Sequence, residues 1–359
     1  MLTGNKGEWS EIYVLLKVIS DKQIYRGDGN LNKLKNAVMP IIKVLREESL
    51  GTYEYRVDQN IVIINGLGQE FKVSILEFQL QAKNLLTIIK SSSTASFEIP
   101  EIEKFISLFN CKSLKASSRV KSDIRIVLHD ITTGISPELG FSIKSQLGSA
   151  STLLNAGKTT NFIYKLEGEK LPATFIDEIN QIEGTSKIKD RLAKISSLKN
   201  TLTFVKTEKS IFSNNLTLID SALPQIMAEI VYSFYSSTKT KITDLVTDVS
   251  VRNPLNFDVS EHHPFYLYKI KRLLTDIALG MMPSKVWTGE LEATGGYLVV
   301  KEDGEILAYH IYNRNEFEDY LLNNTKLDTA STSRHGFGVI YEVDGALYFN
   351  LNLQIRFIK

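Results

Sequence analysis

Hydrophobic and polar positions change period several times along this chain, and the changes predict its elements. In GEWSEIYVLLKVIS, Trp9, Ile12, Tyr13, Leu16 and Ile19 fall on one helical stripe, which predicts an amphipathic N-terminal helix. A second helix is predicted over 31–45, interrupted by Pro40, and VDQNIVIING then reads as a strand and turn. SSSTASFEIP is a polar connection. DIRIVLHD, then ITTG, then GFSIKSQLG reads as two strands joined by a connection, and TNFIYKLEG as a third strand. Apolar spacing predicts helices over 172–199 in two pieces, 216–235 and 264–281. Beyond Pro283, GGYLVVKEDGEILAYHIYN and GVIYEVDGALYFNLNLQIRF each place two apolar runs around Asp-Gly, at Asp303-Gly304 and Asp344-Gly345, the turn chemistry of hairpins. The C-terminal quarter therefore reads as mainly antiparallel sheet, with no repeat of the kind that builds a solenoid.

With 359 residues, the chain has room for one large catalytic core carrying a recognition region, or for two domains. Hydrophobic residues at 43% and charged residues at 23% are ordinary for a folded globular protein and exclude a mostly disordered one. No apolar run approaches the roughly 18 residues of a membrane span, and MLTGNKGEWS lacks a signal-peptide pattern, so a cytoplasmic location is expected. The single cysteine, Cys111, has no internal partner, and with five scattered histidines it offers no zinc spacing. A net charge of +1 does not announce a nucleic-acid partner, so the local distribution matters more. Between residues 187 and 209, Lys187, Lys189, Arg191, Lys194, Lys199, Lys206 and Lys209 face only two acids, Asp190 and Glu208. That stretch suits phosphate contact, and a solvated helix face reads the same charges equally well.

Metal-assisted phosphodiester hydrolysis needs carboxylates to hold the ion and a cation beside the reacting phosphate. If the connection between DIRIVLHD and GFSIKSQLG centres on Thr133-Gly134, Asp123 lies opposite Lys144, and strand alternation puts Ser142, Lys144 and Gln146 on one face. Asp130 is the rival acid, but it sits near the turn and would face about position 137; Glu138 belongs to the connection. Taken alone this signal is weak, because an aspartate beginning a strand and a lysine within one are common and are usually just solvent-exposed. His129, His262, His263, His310 and His335 include no third ligand at metal spacing, so none is given a role.

Long ordered blocks carry more information than these short patterns. NKGEWSEIYVLLK, KSDIRIVLHD, GFSIKSQLGSASTLLNAGKTTNFIYK, YHIYNRNEFEDYLLNNTKLDTASTSRHGFG and LNLQIRF together resemble the HpaII family of type II restriction endonucleases along nearly the whole chain. The resemblance implies an α/β fold with a PD-(D/E)XK core, Mg²⁺ as cofactor, and an acid and an (acid)-x-Lys pair on adjacent strands. Carried onto this sequence, the acid is Asp123 and the pair becomes Ser142-Ile143-Lys144, a departure, because Ser142 stands where Asp or Glu is usual. A hydroxyl is a weaker ligand for a hard cation, so another carboxylate should complete the metal site. Glu8 borders the buried stripe of the first helix and is slightly favoured; Glu11 is expected farther round towards solvent, yet it fits the glycine-then-glutamate spacing of related resolvases. Helix-dipole stabilisation would explain both acids equally well. Gln146 would position water or touch phosphate, or satisfy a sheet edge.

Duplex sequence is read chiefly in the major groove, where arginine bonds guanine and Asn or Gln bonds adenine. Arg314, Asn324, Ser333, Arg334, His335 and Gln354, interleaved with the hydroxyls of TASTSRHG, are the candidates, against the plainer reading of a polar hairpin connection. The family's namesake recognises CCGG. The expected organisation is a catalytic region over 1–250 and a mainly β recognition region over 251–359. The expected activity is double-strand cleavage of DNA at a short site, beside a methyltransferase that protects host DNA. A nicking or repair nuclease of the same fold, or a catalytically inactive DNA-binding protein favoured by Ser142, are the competing readings. Cutting two strands requires either two sites at once, as in a homodimer, or sequential attack by a monomer.

Overall fold

The computed structural model describes residues 1–116, 122–131, 134–291 and 295–359. The chain divides into two compact units, Met1–Ser151 with Leu291–Tyr320 and Lys359, and Thr152–Glu290 with Leu321–Ile358. Sequence position alone suggested a division at 250/251. The units are instead interleaved, because residues 296–309 return as strands to the sheet of the first unit.

In the first unit, helix α1 (Lys6–Asp21) leads into strands β1 (Gln23–Gly27), β2 (Lys33–Glu48), β3 (Gly51–Asp58), β4 (Ile61–Gly66) and β5 (Gln69–Ser74). Helices α2 (Ile75–Ser91) and α3 (Pro100–Ser107) follow, then β6 (Ile124–Leu128), β7 (Glu138–Ser145), β8 (Gly296–Val300) and β9 (Ile306–Tyr309). Among the described residues these strands form a nine-stranded mixed sheet in the order β1-β9-β8-β7-β6-β2-β3-β4-β5. β8 runs parallel to β7 and β9 parallel to β1. β1 also pairs with the first half of β2, so six strands are joined in a closed circuit.

Asn5 starts α1 as a capping box: its side chain accepts from the Glu8 N–H (3.0 Å), and the Glu8 carboxylate accepts from the Asn5 N–H (2.8 Å). The expected stripe of Trp9, Ile12, Tyr13, Leu16 and Ile19 is buried, and Val14, Leu15 and Val18 are buried too. α1 packs on both α2 and the sheet, which encloses it on more than one face. Each large side chain so buried stabilises the unit by roughly 1.5–3 kcal/mol.

The helix predicted over 31–45 is instead the long strand β2. Pro40, which would break a helix, marks the place where β2 changes partners. Residues up to Pro40 pair with β1, residues from Ile41 pair with β6, and the Pro40 carbonyl accepts from the His129 N–H (2.9 Å). The β-branched Val38, Ile41, Ile42 and Val44 favour this extended form.

The second unit holds two antiparallel sheets. One runs Thr201–Thr207, Asn161–Glu167, Ala346–Asn352, Ile340–Val343; the other runs Thr152–Leu154, Ile355–Phe357, Thr325–Leu327. The helices expected over 172–199 and 264–281 are present as Ala173–Asn180, Lys187–Ser197 and Phe265–Leu279. The one predicted over 216–235 is two, Ser210–Ile219 and Leu223–Ser236. Asp220 stops the first by accepting the Ala222 N–H (2.9 Å), and Pro224 starts the second. Both Asp-Gly hairpins form, with Asp344 (φ 50) and Gly345 (φ 77) in the left-handed region that such turns require. They belong to different units, and the helix Arg314–Asn323 adds α structure to a C-terminal quarter expected to be mainly antiparallel sheet.

Candidate active site

β6 and β7 pair with Ile124 opposite Phe141 and Val127 opposite Glu138, and the Asp123 N–H donates to the Phe141 carbonyl (2.9 Å). Continued by one residue, that register sets Asp123 across from Ser142, two residues from the expected partner Lys144. The register therefore differs by two residues from the one assumed, whose central Thr133 lies outside the described residues. A shift of two keeps the face, so Asp123, Ser142 and Lys144 still share one side of the sheet. The Ile143 N–H fixes the Asp123 carboxylate at 2.7 Å. Asp130 is exposed near the turn, its N–H donating to the Ile135 carbonyl (2.9 Å), and Glu138 is exposed and ion-paired to Arg125 (2.5 Å).

α1 meets the same strand at its end, where the Ser10 and Ser145 hydroxyls lie 2.8 Å apart. Its two glutamates then separate in role. Glu8, slightly favoured from sequence, closes the capping box and pairs with Lys115 (2.6 Å). Glu11, one turn further in, is the one that electrostatics couples to Asp123: burial and then the Asp123 charge push its carboxyl up to about 8. Burial also raises Asp123, against the Ile143 hydrogen bond and the charges of Lys144, Lys115 and Arg46. Burial pulls the Lys144 ammonium below its ordinary value, against the pull of Asp123 and Glu11. Two carboxyls and an amine are thus held where each is costly to charge alone, a recurring condition of catalytic sites. Glu8, Glu11, Lys115, Lys144 and Ser145 line one cavity of about 950 Å³. Gln146 continues β7 beyond its last residue, its N–H donating to Val300.

Two contributors escaped the sequence reading. Tyr297 on β8 is opposite Ser142, and its buried ring lies 4.9 Å from the Lys144 ammonium, a cation–π contact. Arg46 on β2 is buried. It pairs with Glu48, donates to Cys111 Sγ (3.0 Å), and holds the Ser113 and Leu114 carbonyls at 2.9 Å each. That anchors the segment whose next residues, Lys115 and Ala116, reach Glu8 and Glu11; the Ala116 N–H lies 3.4 Å from Glu11. Cys111 is buried in this network with its thiol pushed up to about 12 by burial, which leaves it no thiolate for nucleophilic work.

Among the described residues no three His, Cys, Asp or Glu side chains gather as a metal site. Asp123 and Glu11 with the neutral Ser142 hydroxyl still fit a small hard cation, which is commonly held by one or two carboxylates while water and phosphate oxygens complete its shell.

The basic stretch 187–209 does not act as one surface. Arg191 is buried, its guanidinium donating to the carbonyls of Asn180 (2.7 Å), Ile182 (2.7 Å) and Gly338 (2.5 Å), so it ties the second unit together. Lys187 pairs with Glu183 and Lys199 with Glu169. Arg334 and Ser333 are exposed on the short helix Thr332–His335, and the His335 carbonyl accepts from Asn161 (2.9 Å). Gln354 is half-buried, with its carbonyl accepting from Asp328, and Asn324 accepts from Ile358 (2.8 Å). Arg314 lies in the other unit, its guanidinium engaged with Glu318 at 2.6 Å.

Comparison with known proteins adds two findings. The HpaII restriction endonuclease family matches residues 5–357. The chain is also 50% identical, over 99% of its own length and 99% of the other's, to the type II restriction enzyme HpaII of Haemophilus parainfluenzae. No solved structure matches.

Proposed function

This chain belongs to the HpaII restriction endonuclease family, and on that premise we propose that Asp123, Glu11 and Lys144 are the residues with which it cuts duplex DNA. It is a type II restriction enzyme, a site-specific DNA endonuclease. The observation that carries the residue assignment is geometric: Glu11 and Lys144 line one cavity, and Asp123, its carboxylate held by the Ile143 N–H, shares the sheet face of Lys144 although the three lie far apart in sequence. A PD-(D/E)XK arrangement, with Ser142 in place of an acid, is the reading of the core that this grouping supports.

Asp123 and Glu11 hold the divalent ion, proposed to be Mg²⁺; when bound, it lends Lewis-acid polarisation to the scissile phosphate. Glu11, its carboxyl raised to about 8 in the free protein, would have to be deprotonated for its carboxylate to hold the ion. The Lys144 ammonium, held beside Tyr297 and half-withdrawn from water, donates to the reacting phosphate or to the water that attacks it. Ser142 supplies a neutral acceptor and Gln146 a polar contact at the strand end. Arg334, Ser333, His335 and Gln354 are the proposed base-reading set; Arg314, engaged by Glu318, is left out of it. The proposed target is the CCGG of the family's namesake, and a methyltransferase guarding host DNA in the cytoplasm is the proposed functional partner.

Digestion of an unmethylated plasmid tests this reading. Discrete linear fragments in Mg²⁺, absent in EDTA, are expected. A nicked circle as end product, or binding without cleavage, would overturn double-strand restriction.

A further inference from the structure

Two segments remote in sequence, the lysine-bearing start of helix Lys187–Ser197 and the hydroxyl-rich 329–332, line one groove of about 480 Å³ in the second unit. Residues 184–186, Phe234, Tyr235, residues 237–240 and residues 326–328 complete it. We propose that this groove, with the basic row beside it, seats the phosphate backbone of the DNA duplex; the inference rests on the cleavage reading above.

The row is set by strand pairing. Lys241 and Lys326 are bridge partners, anchored by the Leu327 N–H donating to the Thr240 carbonyl (2.9 Å), and Lys326 is in turn the cross-strand partner of Arg356. Directly opposed residues of antiparallel neighbours project to the same face, so three cations stand side by side. Asp328 bonds Arg356 at 3.1 Å. Lys241, Lys326 and the groove's Lys189 have no ion-pair partner among the described residues. Like charges opposed across strands cost stability, and a polyanion laid along them removes that cost. Lys187 and Lys239 are held by Glu183 and Asp248, pairs exposed enough for a phosphate to displace the carboxylate. Thr185, Thr329 and Ser331 add hydroxyl donors of the kind that bond phosphate without reading sequence. A row flanking a groove suits an extended backbone better than a single small anion.

The test uses the full chain carrying Lys189→Gln, Lys241→Gln and Lys326→Gln together. Binding is titrated against a duplex with the target and one with a single-base change, with Ca²⁺ replacing Mg²⁺, from about 50 to about 200 mM salt. Affinity for both duplexes should fall by a similar factor, and the slope of log affinity against log salt should become shallower by about three units, one per lysine. The triple Lys→Arg protein should keep the parental slope, as should Lys104→Gln on α3, outside the groove. An unchanged slope, a loss confined to the target duplex, or a change of oligomeric state in sedimentation would each overturn the proposal, the last by making the groove an interface between copies. A parent that binds with the steep slope but does not cut would sink the cleavage reading and leave the groove standing; a parent that cuts, with an unaltered slope in the triple variant, would do the reverse.

Discussion

Glu11 is the residue on which the proposed chemistry of the site turns. Burial, followed by the Asp123 charge, raises its carboxyl from 4.5 to about 8, so between those values the folded, metal-free protein keeps a proton that the unfolded chain has released. Stability therefore falls as pH rises through this window. Glu11→Gln should flatten the fall by about 1–3 kcal/mol, a figure reduced for the partial exposure of the group. Urea denaturation of both proteins without metal, across pH 5 to 8.5, checks this; parallel curves would contradict it. The sequence made Asp123, Ser142 and Lys144 legible because alternation survives a two-residue slip in register. It did not reveal Arg46. Arg46 and Glu48 lie just past the helix expected over 31–45, and only the strand phase from Val44 points them inward as a pair. Tyr297 was invisible for another reason: it reaches Lys144 only through a parallel pairing between strands remote in sequence.

At the level of elements, amphipathic stripes and Asp-Gly turns were read correctly, because both are local. The 31–45 stretch was not, because its pairing with β1 on one side of Pro40 and β6 on the other is decided by tertiary contacts. The charge run over 187–209 splits by tertiary context in the same way. Arg191, counted with a basic surface, is an internal brace between the helices Ala173–Asn180 and Lys187–Ser197 and the approach to Ile340–Val343. Arg191→Ala should cost about 1–3 kcal/mol by leaving its carbonyl acceptors unsatisfied, while the salt dependence of DNA binding stays parental. Urea melts and binding titrations distinguish this from the opposite result, unchanged stability with a shallower salt slope, which would return Arg191 to the DNA surface.

At the level of the whole molecule, the site and the proposed base-reading residues belong to two separately packed units, threaded through each other along the chain. No linear partition could find that, since 296–309 rejoins the first sheet after the second unit has begun. Family membership establishes the activity, and the coupling of Glu11, Asp123 and Lys144 supports the choice of machinery. Among these, Lys144 is proposed to act on the transition state more than on bound DNA, so its removal should separate cutting from binding. The most direct measurement is the cleavage rate of an unmethylated plasmid by Lys144→Ala in Mg²⁺, taken with its affinity for the same site in Ca²⁺. Cleavage should disappear while affinity stays within about tenfold of the parent; cleavage above about a few per cent of the parental rate would contradict the proposed role of Lys144 in catalysis.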